Sequence, residues 1–551
     1  MKDYTVIIGG KAGDGVQQAG LLIAGLLNSA GYYSYMYYDY PSLIRGGHNF
    51  AAVRACDRNI SALKEAADIL IALNEETVGL HKDKLKDDSM IIYDSGRVKS
   101  SKGKGVPLDE ILKRIKAPPI MKNSCIIGAF ARAAGLDKSV LKRTIKRNMK
   151  KQTELNLKAA EGGYEASGTI LKIKKGGAKR LPILNGSEAA GLGLAEAGLE
   201  AYYAYPMTPS SGLLHFIAGI SKDYGIKTVH AESEIAVMLM ALGSVYAGRK
   251  TAVGTSGGGF CLMTEGFSLS GMAELPITVM LGQRPGPSTG LPTYTCQSEL
   301  SFALYAGQGE FPRIIAAPGD SEEAFCWAQT VMSLSWKYQV PAILLTDKML
   351  CESAHSFSVK NAGKPYLAKP DKPKSRKDYK RYLDTETGVS PMLAPGLKNV
   401  TVKVNSYEHD EYGLTTENAD KTTAIQDKRL RKGKFLAEEI ENNLTAVKVS
   451  GDKKSSRALV CWGSNKGPAE EVAEKLGLKV VRPLVLCPFP EKALKDALKG
   501  AKKIICVENN ATGQLASLMK LHGIGPHKKV LKYDGRPFFL EELENKIKEV
   551  I

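Results

Sequence analysis

"TAVGTSGGGFCLMTEGFSLSGMAELPITVMLGQR", residues 251–284, reads as a strand, a glycine-rich turn, a helix, a second strand and then an arginine. "TAVGTS" and "LPITVMLG" are short apolar runs, and the stretch between them is long enough for one helix. Strand, helix and strand in that order join two parallel neighbours in an α/β sheet. In an open sheet of this kind, ligands gather at the carboxyl ends of the strands. Two features fall at those ends. Gly257, Gly258 and Gly259 form a backbone nest ahead of the helix. Arg284 carries a planar, always-charged fork suited to a carboxylate or phosphate.

The same rhythm runs outward. "FPRIIAAP" and "VPAILLTD" extend the pattern through a block from 183 to 357. Upstream, residues 1–170 open with "DYTVIIGG", "KAGDG" and "VQQAGLLIAGLLNSAG" and continue with "ADILIALN" and "SMIIYDS". A basic linker, "LKIKKGGAKRLP" (171–182), separates the two blocks. From 358 to 455 the chain is a polar, basic connector, with one helix expected near "DKRLRKGKFLAEEIENNL". Alternation returns in 456–551 with "RALVCWG", "GPAEEVAEKLG", "KVVRPLVLCPF" and "KKIICVEN". The expected fold class is α/β, as three parallel-sheet units joined by basic linkers.

Length and charge bound the function. At 551 residues the chain exceeds one compact core. The formal charge of +18 favours an acidic partner. Aromatics are 7%, and neither an RNA-recognition signature nor zinc-finger spacing occurs, which argues against nucleic acid. No apolar run reaches membrane-spanning length. The nine cysteines are scattered with no C-x-x-C, which points to reduced thiols, a cytoplasmic setting and no cluster or metal site built from this chain alone.

Three further stretches carry candidate chemistry. In "GGKAGDGV" (9–16), Gly13 and Gly15 suit a tight turn or a weak phosphate contact at a helix start. "GDG" also opens the signature with which thiamine diphosphate enzymes hold magnesium and diphosphate. Its asparagine half is missing nearby, so it is read as a coincidence. "SLIRGGHNF" (42–50) places Arg45 in a loop. In "AYYAYPMTPSSG" (201–212), Pro206 and Pro209 hold Thr208 rigidly, and Ser210 or Ser211 is positioned to cap a helix. In "AESEIAVMLMALG" (231–243), Ser233 is a helix cap with Glu234 in the first turn, where a carboxylate suits the helix dipole.

Taken in order, "NGSEAAGLGLAEAGLEAYYAYPMTPSSG", "AESEIAVMLMALG", "VGTSGGGFCLMTEGFSLSGMAELP", "GQRPGPSTGLPT", "GQGEFPRIIAAPGD" and "PAILLTDKML" resemble the alpha subunit of the 2-oxoacid:ferredoxin oxidoreductases. The likeness continues through "GVSPMLAPG", "VCWGSNKGP", "VRPLVLCPFP" and "CVENNATGQL", and the first block is similar to that family's gamma domain. The resemblance implies a gamma-like domain, a pyrimidine-side thiamine diphosphate domain and a transketolase C-terminal-like domain. It implies that Glu234 hydrogen-bonds the cofactor's aminopyrimidine, and that Thr208 and Arg284 bind the substrate's 2-oxo carboxylate. Met207 and Pro285 depart from the family's isoleucine and glycine, and Gly257–Gly259 stand where it has Gly-Pro-Gly.

A beta subunit would hold the diphosphate, Mg2+ and a [4Fe-4S] cluster, in an (alpha-beta)2 assembly that passes electrons to ferredoxin. Coenzyme A would be co-substrate, with Gly13, Gly15 and Arg45 as candidate contacts. The implied reaction is oxidative decarboxylation of a 2-oxoacid to acyl-CoA and CO2. 2-Oxoglutarate is favoured over pyruvate or branched-chain acids by the fused gamma–alpha order. A nicotinamide-dependent dehydrogenase and a non-catalytic scaffold subunit stay open as alternatives.

Overall fold

The computed structural model describes residues 2–42, 47–100, 102–373 and 375–551. The chain divides into two compact units. The first comprises Met1–Asn185, Glu352–Ser358 and Phe539–Glu544; the second comprises Gly186–Cys351, Val359–Phe538 and Asn545–Ile551.

The first unit holds one sheet of eight strands, in spatial order 104–106, 85–94, 67–72, 3–11, 48–56, 33–39, 354–356 and 183–185. The first four run parallel, as the alternating pattern leads one to expect. From 48–56 onward the pairings are antiparallel. Strands Ile183–Asn185 and Ala354–Ser356 therefore belong to this sheet, not to the block expected at 183–357. The physical reason is edge pairing: each strand is only three residues long and completes an edge that would otherwise leave N–H and C=O groups unpaired.

The second unit holds two sheets. The larger runs 485–487, 314–316, 342–347, 278–283, 251–256, 201–204 and 227–230, and is parallel apart from its first strand. Strand Thr251–Ser256 is buried along its whole length, which is the condition of a central parallel strand covered on both faces. The smaller sheet runs 447–451, 479–483, 457–461, 503–508 and 528–531. Val447–Gly451 is its antiparallel edge strand, so the last α/β element begins upstream of 456. Val485–Cys487 leaves that region to pair with 314–316, and the Gln297 side chain bonds Trp462 O (2.9 Å), Asn465 Nδ2 (2.8 Å) and Asn509 N (3.1 Å). These ties make the two sheets one compact unit instead of two separate domains.

The connector is more than solvated linker. Its helix, Ala419–Asn443, begins upstream of the expected stretch and buries Lys428 and Lys432 completely. Both reach Glu274, at 2.9 Å and 2.7 Å, while Arg381 donates to the Glu274 carbonyl at 2.7 Å. Burial alone would raise the Glu274 carboxyl, but the two lysines and Arg381 outweigh it and hold the group below the usual carboxylate range. Its stabilising share is thus present at neutral pH and is lost only as pH falls through that depressed value. Breaking a buried pair by removing one partner costs about 3–5 kcal/mol. Lys428→Met is expected to lower unfolding stability by about that amount in urea denaturation at pH 7.

Candidate active site

Glu234 opens helix Glu234–Tyr246, which carries no other charge. Ser233 is the N-cap, its hydroxyl accepting from Ala236 N at 3.4 Å, as expected. The Glu234 carboxylate is 4% exposed, while Glu232 lies on the surface. What makes room for it is a glycine on the neighbouring helix. A Cβ on Gly259 would stand 2.5 Å from Glu234 Oε1 and 2.2 Å from Thr255 Oγ1. Oε1 is buried and, among the described residues, has no hydrogen-bond partner. Leaving such an oxygen bare costs about 1–3 kcal/mol, and more if charged.

The three glycines differ from their expected role as a separate nest. Gly257–Gly259 are the first turn of helix Gly257–Met272, and none has positive φ. Their value is the missing side chain. Gly259 admits Glu234, and a Cβ on Gly257 would come within 2.6 Å of Glu299 Oε1. Gly258 faces open space, its nearest neighbour being Ser288 O at 3.9 Å.

Thr208 and Arg284 come together. The guanidinium is 9% exposed and donates through Nη1 to Thr208 O at 2.8 Å, so Pro285 does not prevent the reach. Burial lowers the Arg284 pKa from its usual value, and the nearby Glu299 charge opposes that shift. The Thr208–Pro209 peptide is cis. Helix Ser211–Tyr224 follows, with Ser210 at the cap position but making no capping bond, contrary to expectation. Glu299 and Thr255 were not foreseen; the signal for Glu299 was a single acid in "TYTCQSEL", two residues beyond Gln297.

Register explains the convergence. In the parallel sheet Ser256 lies abreast of Gly282, Gly254 of Ala204, Ala204 of His230, and Gln283 of Asp347. The residues that follow these positions, Gly257–Gly259, Thr208, Glu234 and Arg284, therefore collect along one carboxyl edge. That edge is flanked by an apolar surface: Ile235, Leu239 and Met240 on one helix and Leu262 on the next are all exposed.

The remaining candidates lie in the first unit. Gly13 (φ 93°) and Gly15 (φ 70°) adopt left-handed conformations in a tight turn, where Asp14 accepts from Lys11 N at 3.0 Å and from Arg97 at 3.1 Å. A Cβ on Gly15 would fall 2.1 Å from Asn123 Nδ2. Arg45 lies outside the described residues. Among the described residues no group of three or more His, Cys, Asp or Glu is placed to hold a metal, and no helix is long and apolar enough to cross a membrane.

A family described as "Pyruvate flavodoxin/ferredoxin oxidoreductase, thiamine diP-bdg" matches residues 193–428, and "Pyruvate ferredoxin/flavodoxin oxidoreductase" matches 5–166. The 2-oxoacid:ferredoxin oxidoreductase subunit alpha of Saccharolobus solfataricus is 31% identical, over 99% of this chain and 97% of that protein. The chain belongs to the 2-oxoacid:ferredoxin oxidoreductase alpha subunits. The 2-oxoglutarate oxidoreductase subunit KorA of Mycobacterium tuberculosis is 30% identical over 65% of this chain and 56% of that protein. A solved 2-oxoglutarate:ferredoxin oxidoreductase from Magnetococcus marinus, with 2-oxoglutarate, coenzyme A and succinyl-CoA bound, superposes with a TM-score of 0.90. It is 28% identical and covers 100% of this chain and 99% of that one. The alpha subunit is thus part of an oxidoreductase and carries a thiamine diphosphate-binding domain.

The glycine geometry gives a direct check. Gly259→Ala must displace Glu234 or Thr255 and is expected to cost about 1–3 kcal/mol. Gly258→Ala, one residue away, is expected to stay within about 1 kcal/mol of the parent in either direction. Urea midpoints of the two variants measure the contrast.

Proposed function

We propose that this alpha subunit, with a beta-type partner, catalyses coenzyme A-dependent oxidative decarboxylation of a 2-oxoacid and passes the electrons to ferredoxin. The observation that carries the reading is the bare, buried Glu234 oxygen in the Gly259 cradle. A carboxylate oxygen lacking a donor suits the N–H group of an aminopyrimidine, so Glu234 would hold that end of thiamine diphosphate. When bound, this cofactor supplies the electron sink for the charge left as CO2 departs. Glu234 accepts the hydrogen bond at the aminopyrimidine and fixes the ring's orientation. Arg284 has one N–H engaged by Thr208 O, and its remaining donors would take the substrate carboxylate. Thr208 sets the approach of that carboxylate. Once the partner covers them, the apolar helices beside Glu234 would exclude water.

2-Oxoglutarate is the proposed substrate, supported by the names of the M. tuberculosis relative and the M. marinus structure. The beta subunit would cover the exposed stripe of Ile235, Leu239, Met240 and Leu262 and bring the diphosphate site, Mg2+ and a [4Fe-4S] cluster. An (alpha-beta)2 assembly follows the same reading. Coenzyme A is assigned to the gamma-like unit, near the turn of Gly13 and Gly15. The positive charge of the chain suits an acidic ferredoxin.

Glu234→Gln keeps the shape but weakens the acceptor. In the assembled complex it is expected to lower 2-oxoglutarate turnover with viologen dye by on the order of 10²–10⁴-fold, with co-purification of the partner unchanged. Full activity in that variant overturns the assignment.

A further inference from the structure

Glu299 has no role in the reading above, yet it stands at the same edge. It is 8% exposed. Its backbone N–H donates to Gln283 Oε1 at 3.1 Å, and Gln283 Nε2 donates to Thr346 O at 3.0 Å. Glu299 is thereby tied to the carboxyl ends of two neighbouring strands. Its carboxyl lies against Gly257, which must lack a side chain to admit it. The Ser298 hydroxyl reaches Oε1 at 3.4 Å, while Oε2 is buried without a hydrogen-bond partner among the described residues. Arg284 directly follows Gln283, and the charges of Arg284 and Glu299 act on one another.

We propose that Glu299 governs the Arg284 anchor: as a neutral carboxylic acid it leaves the guanidinium's charge to the substrate carboxylate, and as a carboxylate it competes for that charge. The inference rests on reading Arg284 as the 2-oxoacid anchor and makes Glu299 a positioning residue.

Burial is the largest influence on Glu299 and pushes it up to about 8, against the opposing pull of Ser298 and Arg284. The groups that bear on it are Arg284 after strand 278–283, Asp347 at the end of strand 342–347, and Cys296 on its own segment. Asp347 is itself raised by burial, and is held by Ser464 Oγ at 2.6 Å and Leu350 N at 2.9 Å. Glu299 is therefore mostly uncharged at pH 7 and mostly ionised at pH 9. If only the neutral form leaves Arg284 free, the KM for the 2-oxoacid rises about tenfold from pH 7 to pH 9 while kcat holds. Near pH 8, binding an anion at Arg284 also returns a proton to Glu299, up to about half a proton per site.

The test uses the complex purified with its partner subunit. KM and kcat for 2-oxoglutarate are followed from pH 7 to pH 9 in the parent, Glu299→Gln and Arg284→Gln. Calorimetry with N-oxalylglycine, an unreactive 2-oxoglutarate analogue, in two buffers of different ionisation enthalpy reads the proton uptake. The expected result is a tenfold KM rise and proton uptake in the parent, with both absent in Glu299→Gln. An equal KM rise in Glu299→Gln overturns the proposal, as does absence of proton uptake at pH 8 in the parent, a measurement that needs no variant to fold. Arg284→Gln separates the two readings. If it binds N-oxalylglycine as tightly as the parent, the anchor itself is wrong. If it loses binding while Glu299→Gln keeps the parent's pH profile, only the role of Glu299 falls.

Discussion

Glu234 is a buried acid whose Oε1, among the described residues, has no hydrogen-bond partner. That constraint organises the edge around it. The Ser233 cap fixes where the helix starts, so the acid falls in the first turn, where the helix's positive end lessens the cost of burial. Gly259 vacates the volume the carboxylate occupies. Oε1 is still left without a partner among the described residues. An unpaired buried polar group calls for an explanation, and this one lies at the carboxyl edge of an open parallel sheet, where ligands gather.

The parallel register is the second half of that logic. Because Ser256 and Gly282 run abreast, the residues after them emerge side by side: glycines after one strand, an arginine after the next. The Arg284 bond to Thr208 O then draws in a third strand end. No single loop builds the site. Three strand termini and a helix start do, which is why positions separated by dozens of residues converge.

Much of this was legible in the sequence, for definite reasons. "TAVGTS" and "LPITVMLG" are uninterrupted apolar runs, so both strands and their carboxyl ends were readable, and with them Gly257–Gly259 and Arg284. The cap at Ser233 followed from its side chain alone. Other features depend on distant pairing that no local pattern reports. Ala354–Ser356 joins the first sheet beside Tyr33–Asp39, more than three hundred residues earlier in the chain, so the block boundary at 357 was misplaced. The lysines of the connector looked like solvated charge. Burying Lys428 and Lys432 depends on Glu274, an acid outside the connector, which local composition does not reveal. In sequence Gly257–Gly259 suggest a backbone nest, whereas at Gly257 and Gly259 the effect here is the space left by an absent Cβ.

The buried acids of the second unit separate structure from chemistry by how their charge is met. Glu323 is held by Arg482 at 2.8 Å and 3.2 Å, by Lys448 and Lys466, and by Gly319 N. Glu508 accepts from Leu515 N, Ala516 N, Asn510 Nδ2 and Trp462 Nε1. Glu274 has its two lysines. In each, the positive or donor groups are built into the chain, and the group holds elements together. Glu234 and Glu299 differ: each keeps one buried oxygen without a hydrogen bond among the described residues, and each rests on a glycine of the same helix turn. They meet the shortage in different ways. Burial, against the opposing pull of Ser298 and Arg284, pushes the Glu299 carboxyl up to about 8. Glu234 sits at a helix's positive end, and its Oε1 has no hydrogen-bond partner among the described residues.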